Sequence, residues 1–335
     1  MSKNLLHPFI AAAVATTLTA QDPAPSTMWH AAGVHNYGNL GAKLVSVGDL
    51  NGDGKSDFLS LAPQADVYNF SSAGRVTALS AVDGTVLWEY VGWQDSQRFG
   101  SFVSYPGDIN GDGIDDIVVA EPEANYNSLV NCGRITGVSG ANGAPLWQKH
   151  GASSFAELGR SVIAIGDSNG DGIGDILLSQ PMASTNGLTR NGVVELISGN
   201  AYINIWTAAG TRDGEMMGQL TKVIDDVDGD GLQDVIAGSS EASTNGHYFN
   251  GVVTMLSSAD GSQLWQLEGA SSLARIGEAV TFGGDIDGDG AGDVILRSPS
   301  ASTGGLFDNG SIMVVSGGTG AIMWTSDGPS HGAAY

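Results

Sequence analysis

A repeat of 59 residues runs through the chain and constrains its fold more than any other feature. Glycine and tryptophan residues recur at this step in a fixed phase. A period shared by several residue types is the signature of a repeat architecture, in which each unit stacks on its neighbours. The three series are Gly41, Gly100, Gly159, Gly218 and Gly277; Gly74, Gly133, Gly192, Gly251 and Gly310; and Trp29, Trp88, Trp147, Trp206, Trp265 and Trp324.

The pattern within each unit predicts β-strands. In the third unit, residues 161–167, 175–181, 192–198 and 203–207 are four β-rich runs separated by Gly, Asn and Ser turns. With 50 glycines in 335 residues, long helices are disfavoured. One small sheet cannot bury its faces alone, so we predict an all-β chain whose four-stranded sheets stack as the blades of a β-propeller. Five repeats are complete. Because a sixth Trp strand occurs at Trp29, a ring of six or seven blades is an alternative to a ring of five.

The amino-terminal segment predicts export. Lys3 precedes a short apolar stretch, residues 8–18, which small residues follow. This pattern is typical of a signal peptide, with cleavage after Ala15 or Ala20. We therefore expect a signal peptide at 1–20 and a secreted propeller at 21–335, located outside the cell or in the periplasm. Its repeats fall at about 30–88, 89–147, 148–206, 207–265 and 266–324.

Each repeat carries one acidic loop with the pattern Asp-x-Asp/Asn-Gly-Asp-Gly-x-x-Asp. The side chains at positions 1, 3, 5 and 9 and the backbone carbonyl at position 7 predict an oxygen cage for Ca²⁺, and glycines permit the tight turn. We expect about five ions, one per repeat. The predicted ligands are Asp49, Asn51, Asp53, Lys55 and Asp57; Asp108, Asn110, Asp112, Ile114 and Asp116; Asp167, Asn169, Asp171, Ile173 and Asp175; Asp226, Asp228, Asp230, Leu232 and Asp234; and Asp285, Asp287, Asp289, Ala291 and Asp293.

Charge and cysteine content exclude several classes of protein. The formal net charge is −23, and Lys and Arg number only 13, so a basic surface for nucleic acid is not expected. Cys132 is the single cysteine, which excludes an intrachain disulfide framework and a cysteine-rich metal site. We interpret Cys132 as a turn residue, because Asn occupies its place in the last three repeats.

These loops and glycines resemble FG-GAP repeats, the units of the integrin α-subunit propeller and of many exported bacterial proteins. The Phe-Gly pair of that family appears as Phe99-Gly100, and the acidic loop matches in all five units. The resemblance implies calcium-bound hairpins and a role in binding or adhesion. The segment Asp83–Trp88 also resembles the blade endings of quinoprotein propellers, which implies the alternative of an enzyme that uses pyrroloquinoline quinone.

The variable connections between strands are the predicted place for ligand contacts. They carry the aromatic candidates Tyr68, Phe70, Trp93, Tyr126, Tyr248 and Phe307. Because the sequence contains no recognised catalytic motif, we expect a non-enzymatic module that binds protein or glycan at a cell surface or matrix, without nucleic acid or a membrane span. The alternatives are a quinone-dependent or polysaccharide-active enzyme and a purely architectural module.

Overall fold

A computed structural model describes residues 29–30, 32, 38–200 and 202–332 of the chain. These residues form twenty strands and no helix. The signal-peptide prediction at 1–20 lies outside them. No helix that could cross a membrane occurs in this part of the chain.

The strands form five four-stranded antiparallel sheets, each in simple sequential order. We call these sheets blades. The strands are β1 (Lys43–Ser46), β2 (Phe58–Ala62), β3 (Arg75–Leu79) and β4 (Val86–Val91); β5 (Phe102–Gly107), β6 (Asp116–Glu121), β7 (Arg134–Val138) and β8 (Pro145–His150); β9 (Val162–Ile165), β10 (Asp175–Gln180), β11 (Val193–Ile197) and β12 (Asn204–Ala209); β13 (Leu220–Val223), β14 (Val235–Ser239), β15 (Val252–Leu256) and β16 (Gln263–Glu268); and β17 (Ala279–Gly284), β18 (Asp293–Ser298), β19 (Ser311–Val315) and β20 (Ile322–Asp327). The prediction of an all-β chain with four-stranded β-propeller blades is confirmed.

The middle strands of the second, third and fourth blades are buried on both faces, because each of these blades packs between two others. Every residue of β6 is buried. Successive side chains of a strand point to opposite faces. Ile117 and Val119 accordingly join a core with the first blade, whereas Val118 and Ala120 join a core with the third. Two further clusters connect the third blade to the fourth and the fourth to the fifth.

The second glycine series lies where neighbouring blades meet. Gly74 forms a parallel bridge with Phe99 of the next blade, and Gly133 forms the same bridge with Leu158. The backbone of Gly74 has a φ of +89°, and a Cβ atom there would collide with the backbone of Phe99. Glycine is therefore required both by the left-handed backbone and by the close approach of the two chains.

Four of the recurring tryptophans donate a hydrogen bond to the blade that follows them; they are Trp29, Trp88, Trp206 and Trp265. The Trp206 indole packs on Gly261 of the fourth blade, and its Nε1 donates a hydrogen bond to the Ser258 carbonyl at 2.7 Å. Trp29 makes the equivalent bond to Ala81 of the first blade at 2.8 Å. Trp29 thus occupies the position of a last strand preceding the first blade. Five blades are described, and a ring of six or seven stays a prediction.

Truncating a buried inter-blade tryptophan is expected to destabilise the protein strongly. Trp206→Ala removes a side chain that is 5% exposed, together with its hydrogen bond, at a cost of about 3–5 kcal/mol. The matched control, Trp324→Ala, changes a side chain that is 49% exposed and should cost less than about 1 kcal/mol. Urea unfolding followed by circular dichroism measures both changes. Equal losses would contradict the proposed packing role.

Candidate functional site

The acidic loops connect the first strand to the second in every blade. Position 1 organises the turn. In the first loop, Asp49 Oδ1 accepts the N–H of Gly52 at 2.7 Å, and Oδ2 accepts that of Gly54 at 2.6 Å. Both glycines have positive φ, +79° and +82°, as the tight turn requires. The hydrogen bond from Gly54 is the main reason that the pKa of Asp49 lies below its usual value.

The side chains at positions 1, 3 and 5 are brought together. In the fourth loop, carboxylate oxygens of Asp226, Asp228 and Asp230 lie within 4.8 Å of one another. Asp285, Asp287 and Asp289 form the same cluster in the fifth loop. Such a set of hard oxygen donors fits a hard divalent cation.

The first three loops have an asparagine at position 3. In the first loop, Asn51 Oδ1 accepts the N–H of Asp53 at 2.9 Å, and Asn110 and Asn169 make the same bond to Asp112 and Asp171. The residue at position 7 donates its N–H to the position-5 carboxylate in all five loops, as Lys55 does to Asp53 at 2.9 Å. The ligand role of its carbonyl oxygen stays a prediction.

The aspartate at position 9 is buried and has a structural role that the sequence analysis did not predict. Asp57 is 1% exposed; its carboxylate accepts the N–H of Leu50 at 3.0 Å and that of Ala81 at 3.1 Å. It therefore connects the acidic loop to the turn between β3 and β4. Burial is the main cause that raises the pKa of Asp175 and of Asp234 to about 6. Each carboxylate oxygen has two lone pairs, so these bonds leave metal ligation possible.

The six aromatic candidates for ligand binding are all substantially exposed, but only two of them share a site. Trp93 and Tyr126 line one cavity in the second blade. The other four, at 36–81% exposure, lie on three loops of three other blades: Tyr68 and Phe70 on the first, Tyr248 on the fourth and Phe307 on the fifth.

The sequence analysis missed the other residues of that cavity. Arg134 and His150 come from β7 and β8 and meet Trp93 and Tyr126 there. Gln94, Asn125, Asn127 and Gln148 complete the lining. A signal was present in the sequence, because His150 stands where the third blade has Ala209. Departures from the repeat mark this cavity, whereas the predicted sites rest on features that recur.

The fold and the loops define the class of protein, a β-propeller whose blades each carry an acidic hairpin. More particularly, the chain is similar to FG-GAP repeat proteins and to integrin α-subunits. The model of the FG-GAP repeat matches residues 44–79 and 104–136. Integrin alpha-V of Gallus gallus is 26% identical over 209 residues, which are 58% of this chain and 19% of the integrin.

Two further proteins are similar to this chain. Phosphatidylinositol-glycan-specific phospholipase D of Bos taurus is 28% identical over 207 residues, 54% of this chain and 24% of that protein. The chain thus spans about a fifth to a quarter of the length of these relatives. Rhamnogalacturonan lyase YesW has a similar fold, with a TM-score of 0.54 at 14% identity over 85% of this chain and 51% of the lyase.

Replacing the buried aspartate is expected to destabilise the protein even without metal. Asp57→Ala leaves one buried and one partly buried N–H group without an acceptor and should cost about 2–4 kcal/mol in calcium-free buffer. Asp53→Ala, at the exposed position 5 of the same loop, should cost less than about 1 kcal/mol there. Thermal unfolding with a chelator present measures the difference. A larger loss for Asp53→Ala would rule out this division of roles.

Proposed function

We propose that the chain is a secreted, calcium-stabilised β-propeller that acts as a non-enzymatic binding or adhesion module for protein or glycan ligands. The recurrence of the acidic loop in every blade of an FG-GAP scaffold carries this proposal. A loop that is the same in each blade suits a structural role. Ligand recognition then falls to the loop residues that differ between blades.

Calcium is the cation that the loops suit best. Carboxylate, amide and carbonyl oxygens are ligands for hard cations, and Ca²⁺ accepts six to eight of them in flexible geometry. We propose one ion in each of the five loops. Without a cation, the clustered charges of Asp226, Asp228 and Asp230 repel one another, so an ion bound there stabilises the hairpin.

A location outside the cytoplasm follows from the same chemistry. Extracellular modules bind Ca²⁺ with dissociation constants of about 0.1–1 mM. Sites of this strength are occupied where calcium is abundant. The apolar segment at residues 8–18, with Lys3 before it, supports export to the extracellular space or the periplasm.

The binding role is supported by exposed aromatic side chains and by the integrin relatives. Tyr68, Tyr248 and Phe307 are more than 70% exposed on loops of three different blades. Aromatic residues are enriched at recognition surfaces because they offer a large rigid contact area. Similarity to integrin alpha-V supports adhesion to a protein or glycan partner at a cell surface or matrix.

A polysaccharide-active enzyme is the second candidate function. Its support comes from two comparisons, a phospholipase D specific for phosphatidylinositol-glycan among the relatives and a rhamnogalacturonan lyase of similar fold. The aligned region covers only part of each protein. None of the five acidic loops differs from the others in a way that indicates a catalytic role. We therefore favour binding without turnover.

Calcium should stabilise the protein, and one loop substitution should remove part of the effect. Calcium at tenfold its dissociation constant adds about 1.4 kcal/mol per site. Asp230→Ala removes a ligand from the fourth loop and should therefore lose the calcium stabilisation of that one site. Glu278→Ala removes an exposed carboxylate outside the loops and should keep it. Calorimetric melting with calcium and with EGTA measures both.

Two results of that experiment would count against the proposal. An unchanged melting temperature of the unmodified protein in EGTA would contradict calcium stabilisation. A full calcium response in Asp230→Ala would contradict the ligand assignment in the fourth loop.

Arrays of glycans and of extracellular proteins, probed with the calcium-loaded chain, should distinguish the candidate functions. Retention of one ligand class without chemical change is the expected result. Cleavage of a retained glycan, detected by mass spectrometry, would instead establish the enzyme. Failure to retain either class contradicts the binding proposal and favours an architectural module.

A further inference from the structure

The second blade contains a cavity of about 230 Å³ beside its edge strand β8. This volume is below the roughly 300–1,000 Å³ of sites that enclose drug-sized ligands, so it suits one small unit of a longer ligand. Eight residues line it: Trp93, Gln94, Asn125, Tyr126, Asn127, Arg134, Gln148 and His150.

The three ring-bearing side chains of the cavity are found together in no other described blade. The third blade, which has the same backbone path, places small residues at the three positions. Trp93, Tyr126 and His150 correspond there to Ala152, Thr185 and Ala209; in the fourth blade to Thr211, Thr244 and Glu268; and in the fifth to Ala270, Thr303 and Asp327. Because the scaffold forms without these rings, their presence in one blade points to a ligand.

A closed series of contacts holds Trp93 in place. The backbone N–H of Trp93 donates to Gln97 Oε1 at 3.0 Å, and the Gln97 side-chain amide donates to Glu121. Glu121 accepts two hydrogen bonds from Arg134, from Nε at 2.8 Å and from Nη2 at 2.5 Å. The Arg134 guanidinium in turn lies 4.7 Å from the centre of the Trp93 ring. The exposed indole is therefore preorganised, which lowers the entropic cost of binding.

Tyr126 is placed by the loss of a polar contact that the later blades retain. In the third blade, the Asn191 amide donates to Thr185 Oγ1 at 2.9 Å. The second blade has Cys132 in place of that asparagine and Tyr126 in place of the threonine. The Tyr126 ring instead stacks on His150, with ring centres 3.6 Å apart and planes within 11°. This stacked pair lines the cavity together with the amide side chains.

The cavity has little net charge and many hydrogen-bonding groups. No carboxylate is among its eight lining residues, and Glu121 neutralises Arg134. The amides of Asn127 and Gln148 can donate and accept, as sugar hydroxyls require. The Nδ1 of His150 is buried without a hydrogen-bond partner in the described part of the chain. Burial, followed by the Arg134 charge, lowers the pKa of His150.

We propose that this cavity binds one neutral pyranose unit of an oligosaccharide, with the sugar's C–H face on the aromatic rings and its hydroxyls on the amides and on His150. The inference rests on the proposed binding function and names its ligand class. The geometry favours a sugar over a protein side chain, because flat rings and amides line a small concave site. An acidic sugar would bring a charge that no unpaired cation here can balance.

The test replaces each ring with the residue that the third blade has at the same position. The variants are Trp93→Ala, Tyr126→Thr and His150→Ala, singly and combined, with Ile322→Ala, at an exposed side chain of the fifth blade, as the control. Titration calorimetry on the calcium-loaded full chain uses neutral gluco-, manno-, galacto- and xylo-oligosaccharides, with oligogalacturonate as the acidic probe. Melting temperatures establish that the variants fold.

The expected result is binding of a neutral oligosaccharide that each single variant weakens by about two- to tenfold. The combined variant should abolish it, and Ile322→Ala should leave it unchanged. If the combined variant folds and still binds neutral sugars, the assignment of the site to this cavity is overturned, although the proposed binding function stands. Binding of oligogalacturonate alone, or of protein alone on the arrays, would overturn the neutral-sugar assignment. Absence of any ligand would defeat both proposals.

Discussion

Burial of the middle strands on both faces is the constraint on which the rest of this structure depends. A four-stranded sheet whose β6 carries Ile117 and Val119 on one face and Val118 and Ala120 on the other needs a neighbour on each side. Glycines that admit a neighbouring backbone and tryptophans that reach the next blade satisfy this need. Stability in such an array is shared between the blades and their interfaces.

Each acidic loop combines two roles on this scaffold. Position 9 belongs to the interior, because a buried carboxylate such as Asp57 connects the loop to the second turn of its own blade. Positions 1, 3 and 5 face solvent and present oxygens that can meet a cation. One short motif thus combines a structural carboxylate with exposed donors, and this pattern recurs in every blade.

Specific recognition requires a departure from the repeat, since identical blades offer identical surfaces. The second blade departs from it at Trp93, Tyr126, Cys132 and His150. These changes act together: Cys132 removes the partner that a threonine would need, and the Tyr126 ring stacks on His150 instead. Comparing a chain with its own repeats therefore separates the residues that build the scaffold from those that can give it a ligand.

The sequence by itself determined the repeat, the four strands per unit and the acidic loops, because local periodicity and turn glycines specify them. It could not predict that Asp57 is buried, since its partner at Ala81 lies 24 residues away. Nor could it bring His150 and Arg134 to Trp93, because that meeting depends on how β7, β8 and the connection between blades pack. Tertiary structure decided these placements, since contacts between distant segments follow from packing, which local pattern does not encode.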